Sequence, residues 1–189
     1  DNIVCDHFHI PLQSGDNDIL RQMKRPYDTD LFRDIIHDIH TKLPFAGIGV
    51  DTLIGFPGET DQQFENTYQL IKALPVSYLH VFPFSPRKGT PAASFPNQVH
   101  PHIIKERCAR MRKLDTKKRQ QFVKGNYHRT LEGLVQHKAD PKTGQLTAIT
   151  SNYLTVLLND TPELKGRIID LELVAGKTVF PALGKRKTK

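Results

Sequence analysis

Three short stretches of this sequence put residues suited to ligand binding just beyond runs that read as β-strands. Gln13-Ser14-Gly15 follows His7-Phe8-His9-Ile10-Pro11-Leu12, and Gly55-Phe56-Pro57-Gly58-Glu59-Thr60 follows the strand-like run Ile48 to Ile54. The third, Pro83 to Thr90 with Ser85, Arg87 and Gly89, follows Tyr78-Leu79-His80-Val81-Phe82. Glycine lets a backbone approach a ligand closely, and ligands of parallel α/β folds bind beyond the carboxyl ends of strands. Turn chemistry would explain any one of these stretches. Three in succession on one sheet edge favour a shared pocket. No activated nucleophile is visible. Glu59 falls at a helix N-terminus, where the helix dipole favours a carboxylate in any case, so a structural role for it stays open. Arg87 and Lys88, bracketed by prolines, suit either an anion or plain exposure.

His7 and His9 lie two apart, hence on one strand face, and such a pair can bind a metal. No third ligand follows at a convincing spacing, so strand packing is the preferred reading and no metal site is expected. Cys5 and Cys108 are the only cysteines. They are too few for a disulfide framework and for an iron–sulfur cluster, which takes three or four protein thiolates. A reduced, cytoplasmic protein is the simplest reading.

Alternating strand and helix patterns position these residues. After the first strand, Ile19, Leu20 and Met23 share one face of a short helix. Asp28-Thr29 caps a second helix with Leu31, Phe32, Ile35, Ile36, Ile39 and Leu43 at helical spacing. Thr60 with Gln63 reads as a capping box for a third, whose apolar face is Phe64, Thr67, Tyr68, Ile71 and Leu74. Strands separated by amphipathic helices imply βαβ units and a parallel sheet. Three strands are too few for a complete barrel, so the sheet is expected to continue in residues outside this sequence, which would make the chain a piece of a longer protein. Residues 83–101 read as a proline-rich loop, and a long helix spans about 102–123 with Ile104, Cys108, Met111, Leu114 and Phe122 on its apolar face.

Near Gly125 the pattern changes to short β-rich runs at 129–135, 146–150, 153–158, 166–173 and 177–180, separated by turns such as Asp140-Pro141-Lys142-Thr143-Gly144. Five short strands imply a small antiparallel β-barrel. The expected division is therefore 1–124 and 125–189. No apolar run approaches the roughly 18–20 residues that span a bilayer. With 27 Lys and Arg against 20 Asp and Glu the net charge is +7. The excess concentrates in 105–124 and 185–189, which suits a polyanionic partner such as RNA or, equally, a solvated helix face and a loose tail.

Four ordered motifs give a resemblance to a known family. His9-Ile10-Pro11-Leu12-Gln13-Ser14-Gly15, Met23-Lys24-Arg25-Pro26-Tyr27, Gly55 to Thr60 and Phe84-Ser85-Pro86-Arg87-Lys88-Gly89-Thr90-Pro91-Ala92 look like the later half of the radical S-adenosylmethionine methylthiotransferases. The β-rich part is similar to the RNA-binding TRAM domain that ends those enzymes. Leu79-His80-Val81-Phe82-Pro83 looks most like the branch acting on N6-threonylcarbamoyladenosine beside the tRNA anticodon, rather than the branch acting on N6-isopentenyladenosine.

The resemblance implies a fold: the C-terminal part of a radical-enzyme partial (β/α) barrel, followed by the small barrel. It implies S-adenosylmethionine and two 4Fe–4S clusters as cofactors, the anticodon stem-loop of tRNA as partner, and no membrane. One cluster cleaves S-adenosylmethionine to a radical that abstracts the hydrogen at C2 of the base, and the second delivers sulfur. This sequence holds neither cysteine set. Alone it should not catalyse the reaction, its partner being the cluster-bearing remainder of the same polypeptide. No catalytic residue is expected in it. Gln13, Ser14 and Arg25 would meet the ribose or methionyl part of the cofactor. Ile54, Gly55, Phe56 and Pro57 would pack on its adenine, and backbone groups at Val81 and Phe82 would bond the adenine edge. Arg87, Lys117, Lys118, Arg119, Asn152 and Tyr153 would contact RNA. The rival readings are an RNA-binding module with an α/β scaffold, and a haem-pathway radical oxidase, against which residues 125–184 argue.

Overall fold

The computed structural model describes residues 4–159, 162–176 and 181–187. They fall into two compact units. One comprises Phe8–Pro44 and Ile48–Lys118; the other runs from Arg119 onward and takes in Phe45–Gly47 and the chain up to His7.

The first unit is built on a three-stranded sheet in the order β1 (His7–Gln13), β2 (Gly47–Ile54), β3 (Tyr78–Pro83). β2 and β3 are parallel, with Asp51 opposite His80 and Leu53 opposite Phe82. The connections are α1 (Asn17–Gln22), α2 (Thr29–Lys42) and α3 (Asp61–Ala73), and α4 (Pro101–Gly125) follows the proline-rich loop. That loop contains one 3-10 turn, Pro91–Ser94. Each cap is legible locally. Asp16 and Asp28 accept the first free amides of α1 and α2, and Thr60 with Gln63 forms the reciprocal capping box of α3.

One face of the sheet carries the core. Leu12, Ile48, Val50, Ile54 and Leu79 meet Phe32 and Ile36 of α2, Phe64 and Ile71 of α3, and Cys108, Met111 and Leu114 of α4. The apolar stripe expected on α2 is wider than its buried face: Leu31 is 50% and Ile35 39% exposed. Only 32, 36 and 39 share the side turned to the sheet at 3.6 residues per turn, and 31 and 35 flank it. The basic residues expected to cover the rest of α4 are not all solvated either, since Arg107 and Lys118 are buried.

The second unit is a closed barrel in the order β4-β5-β6-β8-β7, from β4 (Thr130–Val135), β5 (Leu146–Thr150), β6 (Thr155–Leu158), β7 (Ile168–Val174) and β8 (Ala182–Arg186). Burial alternates along β4 and β7, and Leu131, Val135, Ala148, Val156, Leu171 and Leu173 fill the interior. Closure leaves no strand edge open. The barrel departs from the expected antiparallel pattern at one seam, where β6 and β8 run parallel. The strand expected at 177–180 lies outside the described residues. The described fifth strand is β8, so Lys185 and Arg186 are not part of a loose tail. Lys185 and Lys187 approach Glu172 at 3.8 and 4.0 Å, and Lys187 Nζ also donates to Thr130 Oγ1 at 2.8 Å. Among the described residues no helix is long and apolar enough to cross a membrane.

Candidate functional site

The turn after β2 is held from within the protein. Gly55 has φ +83°, and a Cβ on it would lie 2.4 Å from Ile104 Cγ1 of α4, so both its backbone and its lack of a side chain are required here. Its N–H donates to Glu59 Oε2 at 2.9 Å, and the same oxygen accepts Arg107 Nη1 at 2.7 Å. Arg107 also donates to the Glu59 carbonyl at 3.1 Å and to Asp61 at 2.7 Å. Burial pushes the Glu59 carboxyl above its ordinary range, with the Gly55 amide and the Arg107 guanidinium pulling the other way. The open question about Glu59 thus has a structural answer: its carboxylate fixes the turn. Phe56 is 5% exposed and meets Phe84 and Phe95 edge-on at 5.6 and 6.1 Å, and Pro57 is also buried. Ile54 is fully buried on the helix side of β2, so its side chain belongs to the core and does not reach a ligand on the other face. Leu53, one residue earlier, has the opposite orientation.

At the end of β1, Gln13 is half-buried with φ +69°, which turns the chain sharply out of the strand. Ser14 is 1% exposed, and its hydroxyl lies 3.3 Å from Thr67 Oγ1 and accepts the Asp16 N–H at 3.2 Å. It ties the loop to α3 and α1 and is unavailable to a cofactor. Arg25 is exposed and lines a surface cavity of about 540 Å³ with Arg21, Tyr27 and Asp28. Tyr27 anchors this segment by donating to the carbonyls of Pro11 and Leu12. Burial raises its phenol above the usual range and the neighbouring Arg25 charge lowers it. The lining of this cavity includes neither Gly55 nor Phe82.

Beyond β3, Val81 packs its side chain against the core, leaving only its backbone for a ligand, whereas Phe82 is 48% exposed on the other face. Arg87 is exposed, in a turn closed by Thr90, whose N–H and hydroxyl both donate to the Arg87 carbonyl. A cavity of about 520 Å³ beside this loop is lined by Phe84, Pro86, Gln98, Ile104, Cys108 and Arg112.

The face of the sheet opposite the helices carries a cluster that local spacing did not reveal. His9 Nε2 lies 2.8 Å from Asp51 Oδ1, and His80 Nδ1 lies 3.4 Å from the same oxygen. Strand alternation puts these residues of β1, β2 and β3 on one face. The potential ligand atoms all lie within 4.8 Å of one another. His9 therefore has acid and imidazole neighbours after all, but on adjacent strands, far away in sequence. Two aromatic layers flank the cluster. Tyr78 lies across Gly49, where a Cβ would sit 2.2 Å from the ring, so only glycine admits it. Toward the carboxyl end, Phe82 meets the His80 ring edge-on at 6.2 Å. His7 does not join this group; it stacks on Tyr153 at 4.2 Å.

Two of the expected RNA contacts are engaged inside the fold. Lys118 Nζ donates to the carbonyls of Lys72 and Leu74 at 2.9 and 2.6 Å, completing the C-terminus of α3 in the manner of a cationic cap. Asn152, 2% exposed, donates to Phe45 O and Asn126 Oδ1 and accepts from Thr150 Oγ1. Neither presents its polar atoms to solvent. Lys117 is exposed, Arg119 is half-buried, and Tyr153 is 57% exposed with φ +69°.

The donor set bears on the cofactors that the motifs imply. With Cys5 exposed and Cys108 buried in α4, the chain's thiols do not fit an iron–sulfur cluster. The exposed Phe82 beside Leu53, with Gln13 at the same edge, fits a purine-bearing ligand such as S-adenosylmethionine in part, with an apolar plate and a polar rim.

Comparison with known proteins agrees with this geometry. Residues 1–71 match the model of the radical SAM superfamily. The chain is 34% identical over 173 residues to the threonylcarbamoyladenosine tRNA methylthiotransferase of Bacillus subtilis, covering 90% of this chain and 38% of that protein. It is 39% identical over 153 residues to the enzyme of the same name from Aquifex aeolicus, covering 81% and 36%. It is 33% identical over 174 residues to the tRNA-2-methylthio-N(6)-dimethylallyladenosine synthase of Pelotomaculum thermopropionicum, covering 92% and 39%. The parallel sheet is consistent with a radical S-adenosylmethionine protein, and the chain belongs to the methylthiotransferases of that superfamily. It spans less than two-fifths of the length of these relatives.

Proposed function

We propose that this chain is the later part of an enzyme that adds a methylthio group to C2 of N6-threonylcarbamoyladenosine next to the tRNA anticodon. The observation that carries this reading is the near-complete coverage of the chain by relatives named for that activity. The polar face of His9, Asp51 and His80 supports it further. In this reading Gln13, Leu53 and Phe82, with the backbone at Val81 and the turn Gly55-Phe56-Pro57, form one wall of the S-adenosylmethionine pocket, and Arg25 serves its carboxylate. When bound, that cofactor supplies the radical chemistry at C2 and the methyl group. The cluster cysteines belong to the remainder of the polypeptide, so the chain alone is inactive. The barrel is a TRAM-like module that, with Lys117, Arg119, Arg87 and Tyr153, binds the anticodon stem-loop, and the enzyme works in the cytoplasm.

A second reading, action on the dimethylallyl nucleoside, has the Pelotomaculum relative in its favour at nearly the same identity. The deciding experiment uses the longer polypeptide with its clusters reconstituted anaerobically, incubated with tRNA carrying either nucleoside, and mass spectrometry of the digested tRNA. A methylthio product on threonylcarbamoyladenosine is expected. Product only on the dimethylallyl nucleoside would assign the other branch, and product on neither would overturn the methylthiotransferase reading.

A further inference from the structure

We propose that His9, Asp51 and His80 form the recognition site for the polar N6 substituent of the modified adenosine, with His80 as the residue that sets specificity. This rests on the function proposed above and gives His9, Asp51 and His80 a role that neither the motifs nor the comparisons assign.

The geometry is that of a prepared hydrogen-bonding niche. One carboxylate oxygen, Asp51 Oδ1, hydrogen-bonds His9 Nε2 at 2.8 Å and lies 3.4 Å from His80 Nδ1. The carboxylate holds the His9 ring and stands beside that of His80, and neither His9 Nδ1 nor His80 Nε2 has a hydrogen bond to a described residue. The side chains keep 34% and 47% of their surface accessible. A pair of oriented imidazoles offers N–H donors and a lone-pair acceptor to an incoming group, according to the protonation of each ring. A threonylcarbamoyl substituent brings N–H groups, a hydroxyl and a carboxylate. A dimethylallyl substituent brings only hydrocarbon and would leave these nitrogens desolvated without partners. A site built to hydrogen-bond rejects an analogue lacking the polar atoms far more strongly than an apolar pocket rejects a changed hydrocarbon.

The surroundings match a purine carrying such a group. Phe82 forms an exposed plate one pleat repeat nearer the carboxyl edge, about 7 Å along the strands. A substrate purine entering at this edge, past the wall that Phe82 gives the cofactor pocket, can extend its N6 arm toward the two imidazoles, and Tyr78, 5.4 Å from His80, closes the niche below.

The test is equilibrium binding of three nucleosides to this chain: N6-threonylcarbamoyladenosine, N6-dimethylallyladenosine and adenosine, followed through the imidazole Cε1–H NMR signals. The threonylcarbamoyl nucleoside should bind roughly tenfold tighter than the dimethylallyl one and shift the signals of both histidines. His80→Ala should bring the ratio to about one, and His80→Gln, which keeps a donor and an acceptor on the strand, should retain part of it. Equal affinities in the unmodified chain, or a preference that survives His80→Ala, would overturn the assignment while leaving the enzyme class standing. If neither modified nucleoside bound better than adenosine, the enzymatic reading of this face would fall with it. A cobalt(II) titration closes the remaining route. Ligand-field absorption that needs all three residues and persists against the nucleosides would make this a metal site and overturn the proposal.

Discussion

Arg107 Nη1 and the Gly55 amide both donate to one oxygen of Glu59, at 2.7 and 2.9 Å, and so clamp the turn after β2 between α3 and α4. The Arg107 and Glu59 side chains are 8% and 1% exposed. Two glycines, a proline and an acid at this junction look from sequence like a ligand cradle. The structure adds a second reason for them, because the same residues join the sheet edge to α4. Whatever binds at this edge meets a turn whose shape is fixed beforehand.

Breaking that pair should be costly. Glu59→Gln keeps an acceptor for the Gly55 N–H but leaves the buried guanidinium with only the exposed Asp61 as counter-charge, and should cost about 3 kcal/mol in urea unfolding. Removing both charges with Glu59→Gln and Arg107→Met should cost less than Glu59→Gln alone, since no uncompensated buried charge remains. Additive losses in the two single variants would contradict the clamp.

Gly55 tests the same turn sterically. Gly55→Ala meets Ile104 Cγ1 at 2.4 Å and needs an αL backbone, and should destabilise by roughly 2–3 kcal/mol. Ile104→Ala relieves the collision but not the backbone strain, so the double variant should fall short of additivity by about 1 kcal/mol or more. Strict additivity in a double-mutant cycle of unfolding free energies would show that the close approach is not the reason for glycine here.

Much of this was legible in the sequence, and the misses share a cause. Caps, helix periods and the three strand–turn edges are local patterns, and Thr60 with Gln63 or Asp28 before α2 announces itself within four residues. Contacts between strands are not local. His9 gave no metal-like or catalytic spacing because its partners Asp51 and His80 arrive through parallel pairing across two crossovers. The side-chain direction of Ile54 depends on which face the helices cover, and a strand with apolar residues on both faces, such as Ile48, Val50 and Ile54 on one and Leu53 on the other, does not reveal it by itself. Ser14, Lys118 and Asn152 look from sequence like ligand contacts because polar side chains near a basic or glycine-rich stretch suit that role. Each instead satisfies buried backbone or side-chain groups that only the tertiary structure brings within reach.

Lys118 should make the fold more stable toward alkaline pH. Burial lowers its ammonium below the ordinary 10.5, so the folded state holds this proton less tightly than the unfolded chain does. Unfolding then takes up a proton, and stability rises as pH increases through the folded value and toward 10.5, and falls as pH decreases through it. Lys118→Met should flatten this part of the pH dependence while losing about 1 kcal/mol at neutral pH, where the carbonyls of Lys72 and Leu74 lose their donor. Urea midpoints of both proteins across the alkaline range provide the check, and identical slopes would refute the assignment.

Asn152 and Tyr153 are adjacent in sequence and should separate stability from RNA binding. Asn152 bridges Phe45, Asn126 and Thr150 inside its unit, so Asn152→Ala strands at least one buried partner and should cost about 2 kcal/mol. The folded fraction should still bind RNA normally. Tyr153 presents an exposed ring backed by His7, and its positive φ calls for a replacement that tolerates αL, so Tyr153→Asn is the informative variant. It should leave the urea midpoint nearly unchanged and weaken binding to an anticodon stem-loop roughly tenfold, the loss of one base–aromatic stack. Fluorescence anisotropy at two salt concentrations tells the contributions apart. Loss of a stack lowers affinity about equally at both, whereas Lys117→Ala should reduce the salt dependence itself, because a phosphate contact releases counterions. If Tyr153→Asn bound as tightly as the parent chain while Asn152→Ala lost affinity even when fully folded, the roles given to the two residues would have to be exchanged.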